Sequence, residues 1–244
     1  ICEGGTTTLI ASIPGGIWTS STPGVASVGS VSGLVTANIP GTTTIDYSLG
    51  TCASVPVSVG VNPLPIAAIT PAGPTTFCSG SNVTLNATTG GGYSYQWQLG
   101  GTNIPGATAA TYTATLGGSY TVVTSLAGCS AISTAEIITV LSSPTPSVTA
   151  AGPTTFCTGG SVALSTATGG GFTYQWASGG IDIVGETNST FTATSAGTYT
   201  IRVTDGACVG SSAITTVGVT APPVAAITAG GPTTFCTGSS VMLN

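Results

Sequence analysis

Three observations predict an all-β chain arranged as a tandem array of sandwich domains. The run Gly73-Pro74-Thr75-Thr76-Phe77-Cys78 returns as 152–157 and 231–236, each time after 79 residues, and Trp97, Tyr120 and Cys129 recur as Trp176, Tyr199 and Cys208 at the same offset. A gap-free period of this length marks one structural unit repeated along the chain. Apolar and polar residues alternate in short runs rich in Val, Ile, Thr and Tyr, broken by glycine, which is the pattern of half-buried strands. No apolar stripe recurs at the helical period, and Gly, Pro, Thr and Ser dominate where a helix would need Ala, Leu or Glu.

The elements follow in order. The expected domains are 1–61, 62–143, 144–222 and the start of a further repeat at 223–244. In the first, the segments are Gly16–Ser21 through Trp18, Val25–Val28, Ser32–Thr36 and Gly41–Ile45. The second offers Val83–Ala87, Tyr93–Gln98, a weak segment around Ile104, Thr111–Thr115, Ser119–Val123 and a last strand over Ile132–Leu141. The third repeats these with Val162–Leu164, Tyr174–Trp176, Thr190–Thr192 and Thr198–Ile201. Pro144 and Pro146, then Pro222 and Pro223, punctuate the boundaries. Linkers only a few residues long make a semi-rigid array. About seven short strands in roughly 80 residues is the count of an immunoglobulin-like sandwich.

Composition narrows the function classes. The chain has no His, Arg202 is its one basic residue, and it carries six carboxylates in 244 residues. Acid–base and nucleophilic catalysis draw on groups that titrate near neutrality, His above all, so hydrolytic triads and His-ligated metals are excluded. A net charge of −5 with no basic stripe offers nothing to nucleic acid or anionic lipid. No apolar run is long enough to span a membrane. Asp182, Glu186 and Asp205 form the one near-cluster of carboxylates, too few oxygens for a calcium site. No cofactor or metal site is therefore expected. The sequons at Asn82, Asn86 and Asn188 fall in a Thr/Ser-rich chain where such triplets arise by chance.

The aromatic residues read as core. Tyr93, Tyr95 and Trp97 share one face of a strand by period two, as do Phe172, Tyr174 and Trp176. Trp18, Trp97 and Trp176 take the position that packs across the sandwich core. Tyr120 and Tyr199 follow a glycine turn, the setting in which a tyrosine hydroxyl bonds back to the preceding loop; Thr43 stands there in the first domain. Ala87 and Val122 fill the places of the core disulfide found in antibody domains.

Two family resemblances rest on these residues. Residues 1–61, with Trp18-Thr19-Ser20-Ser21, Val25-Ala26-Ser27-Val28, Gly33-Leu34-Val35-Thr36 and Gly41-Thr42-Thr43-Thr44-Ile45, resemble the bacterial immunoglobulin-like group 2 module. The later repeats, with Cys78…Val83…Leu85, Tyr95…Trp97, Gly118–Val122 and Gly128-Cys129, resemble the immunoglobulin- or PKD-like repeats of giant secreted surface proteins of Bacteroidota. That resemblance implies stalk and adhesin segments without shared catalytic residues.

Seven cysteines in regular positions point to an oxidising compartment. Cys78 precedes the second strand of its domain and Cys129 follows the sixth. Those strands run the same way in an immunoglobulin-like topology, so the two cysteines are expected at opposite ends of the sandwich. A seven-residue strand spans about 23 Å, whereas a disulfide needs Cα atoms about 4.4–6.8 Å apart. Bridges across the junctions, Cys2–Cys129 and Cys78–Cys208, are the favoured scheme, leaving Cys157 to a following domain and Cys52 to a preceding one. Pairing within domains, Cys2–Cys52, Cys78–Cys129 and Cys157–Cys208, is the alternative.

The chain begins without Met and ends inside a repeat, as an internal fragment of a longer secreted protein would. The expected role is a structural stalk segment of a cell-surface adhesin or extracellular filament, with other copies of itself or neighbouring repeats as partners. The alternative is a surface- or glycan-binding module, in which Thr-rich strands such as 107–115, or exposed Tyr112 and Phe191, meet the ligand.

Overall fold

Period-two burial builds the main core strands. The computed structural model describes residues 1–243; Asn244, last of the expected further repeat, lies outside them. The first sandwich comprises β1 (Thr6–Thr8), β2 (Ile17–Ser20), β3 (Ala26–Val28), β4 (Leu34–Ala37), β5 (Gly41–Leu49), β6 (Cys52–Ala53) and β7 (Val57–Val61). One sheet runs β1-β4-β3; in the other β5 pairs with β2 and β7, and β6 folds back on its end. Trp18, Ala26, Val35, Ala37, Ile45, Val59 and Val61 close the core between them.

The second sandwich comprises β8 (Ile69–Pro71), β9 (Thr76–Cys78), β10 (Val83–Ala87), β11 (Ser94–Leu99), β12 (Thr102–Asn103), β13 (Thr111–Ala114), β14 (Gly118–Leu126), β15 (Cys129–Ile132) and β16 (Glu136–Leu141). Its sheets run β13-β10-β8 and β12-β11-β14-β16-β9, and β15 also pairs with β14. The third copies this order with β17 (Thr149–Ala150), β18 (Thr155–Cys157), β19 (Val162–Ser165), β20 (Phe172–Ser178), β21 (Ile181–Asp182), β22 (Thr190–Ala193), β23 (Gly197–Asp205), β24 (Cys208–Ser211) and β25 (Thr215–Thr220). The chain is thus all-β, a tandem array of immunoglobulin-like sandwiches. It divides into two compact units, Ile1–Leu141 with the first two sandwiches and Ser142–Asn244 with the third.

Two details differ from the sequence expectation. The repeated Gly-Pro-Thr-Thr-Phe-Cys run contains a strand of its own: β9 lies parallel to β16, and β18 parallel to β25. Its Phe77 and Phe156 pack against their cores. The last strand, expected as one element over 132–141, is two. β15 pairs with the far half of β14 and β16 with its near half. At the break, buried Ser133 gives its hydroxyl to the Val122 N–H as acceptor at 3.0 Å, while its own N–H donates to the Val122 carbonyl at 3.0 Å. A side chain thereby replaces a ladder bond that the kink removes. Ser212 and Ile201 repeat the device.

Residues 223–243 contain one isolated bridge, Ala229–Leu243, and no named strand. Leu243 is 61% exposed, where its counterparts Leu85 and Leu164 are wholly buried.

Candidate functional site

The three tryptophans, Tyr120 and Tyr199 are absorbed by the cores. Trp97 and Trp176 are 0% exposed and Trp18 is 8%. A buried indole N–H needs an acceptor; Trp97 donates to the Ala109 carbonyl and Trp176 to the Asn188 carbonyl, both at 2.9 Å. Rings stack in a chain, Trp97 on Tyr112 at 5.8 Å and Tyr112 on Tyr120 at 5.7 Å. Trp176, Phe191 and Tyr199 repeat it at 5.6 and 5.4 Å. Tyr112 and Phe191, offered by the sequence as exposed sugar platforms, are half-buried core rings, because their strands turn them toward the tryptophan. The Tyr120 hydroxyl donates to the Leu116 carbonyl at 3.0 Å and that of Tyr199 to the Ser195 carbonyl at 2.9 Å. Burial, with the neighbouring Tyr112, pushes the Tyr120 hydroxyl above its ordinary pKa, against the opposing Leu116 bond.

In the first sandwich buried Thr43 holds the tyrosine's place and uses its hydroxyl instead. It accepts from the Thr22 N–H at 3.0 Å and bonds the hydroxyls of Ser20 and Ser21 at 3.2 and 3.1 Å. The glycines before both residues, Gly41 and Gly118, share a φ of 152°, so the same turn serves both.

Asp182, Glu186 and Asp205 are not gathered. Asp182 pairs instead with Arg202 at 2.8 Å on the surface of the third sandwich. This bond and charge raise the Arg202 pKa. No group of three metal-ligating side chains occurs among the described residues.

The junction between the first two sandwiches is where the chemistry lies. The run Ile1–Glu3 lies against the end of β7: the Ile1 amine donates to the Gly60 carbonyl at 2.8 Å, Asn62 N–H to the Ile1 carbonyl at 2.8 Å, and Glu3 N–H to the Asn62 carbonyl at 3.0 Å. Cys2 is thereby fixed beside the linker. From the other side comes the hairpin β14–β15, whose turn residues Ala127 and Gly128 have φ of 48° and 81°. Two successive positive φ values match the twist of a two-residue hairpin. They place Cys129 opposite Leu126 at the start of β15. Cys2 and Cys129 form a disulfide with Cα atoms 5.6 Å apart. Asn62 adds a hydrogen bond across the same joint, its side-chain amide donating to the Ala127 carbonyl at 3.1 Å.

Asn62 was not visible as a functional residue in the sequence. Within-domain pairing does not occur for Cys2–Cys52 or Cys78–Cys129, because Cys2 and Cys129 are consumed by each other, nor for Cys157–Cys208, because Cys157 is free. Free and exposed cysteines among the described residues are Cys52, Cys157 and Cys236. Cys78 ends β9 opposite Leu141, and Cys208 opens β24, 1% exposed. Disulfide formation suggests an oxidising, extracellular environment. No helix among the described residues is long and apolar enough to cross a membrane.

No protein-family model matches the chain, and no curated protein matches it. Solved structures with similar architecture include murine CEACAM1b, at 15% identity over 64% of this chain and 100% of that one, with a TM-score of 0.31. An I-band fragment of titin is 13% identical over 91% of this chain and 94% of its own, at 0.44. The four N-terminal immunoglobulin domains of a Dscam1 isoform are 13% identical over 90% and 71%, at 0.27.

Proposed function

We propose that the chain is a non-catalytic, load-bearing segment of a long secreted cell-surface adhesin or extracellular filament, its consecutive sandwiches stapled across their junctions. The observation that carries this reading is the Cys2–Cys129 bond, which joins the entry of one sandwich to a hairpin of the next. A bridge within a sandwich protects that sandwich. One between sandwiches limits the angle and the separation of the two, which is what a shaft under tension requires. The 79-residue offset carries Cys129 to Cys208, and Cys78 stands beside its last strand as Cys2 stands beside β7. The same staple, Cys78–Cys208, is accordingly assigned to the next junction. The near absence of charge leaves a Thr/Ser/Gly surface that resists neither close packing nor strand addition at sheet edges.

The binding-module alternative loses its aromatic platforms, since Tyr112 and Phe191 face their cores. It keeps short outward ranks of hydroxyl and amide groups, Thr111–Asn86–Thr70 and Thr190–Ser165–Thr149, across the smaller sheets.

Small-angle scattering on the unmodified chain and the Cys129→Ser variant tests the stalk reading. Loss of the staple is expected to broaden the distribution of interatomic distances while circular dichroism stays unchanged. An identical distribution in the two proteins contradicts it.

A further inference from the structure

The Cys2–Cys129 bond joins residues 127 apart and so closes a covalent loop over residues 3–128. The whole first sandwich, β1 to β7, lies inside that loop, and so do β8 to β14 of the second. Tension arriving from the N-terminal side meets Cys2 before any strand of either sandwich. Two routes are open to it there. One crosses the sulfur bridge, whose Cα atoms are 5.6 Å apart, straight to Cys129. The other follows the backbone through β1 to β14 and returns to the same cysteine. Force divides in favour of the shorter and stiffer path, and here that is the bridge.

The part of the second sandwich left outside the loop has little length to give. β15 and β16 leave only residues 133–135 between them. A strand already rises about 3.3 Å per residue, against a limit of about 3.6 Å for a fully extended chain. Both strands are also bonded to β14, and β16 to β9 as well. At the other foot of the bridge, the Ile1 amine and the Glu3 N–H hold Cys2 to the Gly60 and Asn62 carbonyls. The Asn62 bond to the Ala127 carbonyl keeps the linker beside the bridge, so the linker is not drawn taut first.

We propose that the Cys2–Cys129 bond is a tension bypass, which takes pulling force across the sulfur bridge and lets the first sandwich stay folded while the array is stretched. The inference rests on the stalk reading, since only a segment that is pulled has use for it. It also sets a limit on length. With this bond alone, residues 3–128 are withheld from extension however many of their contacts break. The assigned staple Cys78–Cys208 tightens the limit, because Cys78 lies within the first loop and Cys129 within the second. The shortest covalent route then runs from Cys129 back to Cys78 and across to Cys208. The first sandwich stays off that route as well.

The test stretches single molecules of the full chain between handles at its two ends. Cys52→Ser, Cys157→Ser and Cys236→Ser form the background and keep other pairings out. At full extension this chain is expected to reach about 310 Å with both staples, and about 850 Å with neither. Cys2→Ser with Cys129→Ser should bring it to about 400 Å, and Cys78→Ser with Cys208→Ser to about 410 Å. Ile45→Val loosens the first core alone, where Ile45 is wholly buried. Without staples it should raise the rate of one unfolding step at constant force roughly two- to tenfold. In the stapled chain it should change no step. A stapled chain in which Ile45→Val speeds a step overturns the bypass alone, and a length indifferent to Cys2→Ser with Cys129→Ser overturns it together with the stalk reading. If the stapled chain reaches about 410 Å and ignores Cys78→Ser with Cys208→Ser, the repeated staple of the stalk reading falls. The bypass then stands as a property of the Cys2–Cys129 bond.

Discussion

Single side chains settle what each sandwich tolerates. Tyr120 is nearly enclosed, and its neutral hydroxyl is favoured over the phenolate, which raises its folded-state pKa above the ordinary 10.0. A raised folded pKa means full stability below the unfolded value and a loss as pH climbs through the folded one. Stability of the second sandwich should therefore begin to fall above about pH 10. Tyr120→Phe should remove this group's share of the alkaline slope, and a chemical denaturation series against pH checks both. Ser133 presents a second case. Val122 is wholly buried and its N–H has the Ser133 hydroxyl as acceptor. Ser133→Ala should cost about 1–3 kcal/mol in denaturant unfolding, because it strands a buried donor; a change near zero would contradict that assignment. The sequence announced the face that carries Trp97 through the Tyr-Gln-Trp alternation. Its stacking partner Tyr112 lies in another sheet, and no local pattern reveals a pairing made across the core.

Strands and turns show where local reading stops. Alternation marks β10, β11, β13 and β14 and their counterparts plainly, since each buries one face. β9 and β18 are short and sit behind Gly-Pro, so the run reads as a turn; only a parallel partner on the last strand makes them strands. The break between β15 and β16 likewise depends on a serine hydroxyl standing in for a backbone group, which period two does not encode. At the junction hairpin Ala127 adopts a φ of 48°, the one positive value outside glycine among the described residues, whereas Gly50 and Gly206 hold the matching place at 63° and 57°. A left-handed conformation costs a non-glycine residue about 1–2 kcal/mol, part of which glycine's greater freedom in the unfolded chain offsets. Ala127→Gly should accordingly leave thermal stability equal or higher, with the Asn62 bond to the carbonyl at 127 kept. A fall in the melting temperature would count against the geometry given for this turn.

At the scale of the molecule, the period of 79 residues made the array legible, and with it the all-β fold. The joints were harder to read. Equal cysteine spacing follows from repetition under any pairing scheme, so spacing alone does not choose a partner, and the role of Asn62 emerges only when two sandwiches meet. With charges so sparse, and the Arg202–Asp182 pair on the surface, ionic strength should change stability little. The junction staple acts differently. It closes a loop between residues 127 apart and so limits the unfolded chain by about 5 kcal/mol in the loop-entropy account. The measurement that tests the account most directly is non-reducing peptide mapping of the native disulfides. Peptides joining Cys2 to Cys129 and Cys78 to Cys208 are the predicted result. Peptides joining Cys78 to Cys129 and Cys157 to Cys208 would contradict it and leave a chain of separately braced domains with free joints.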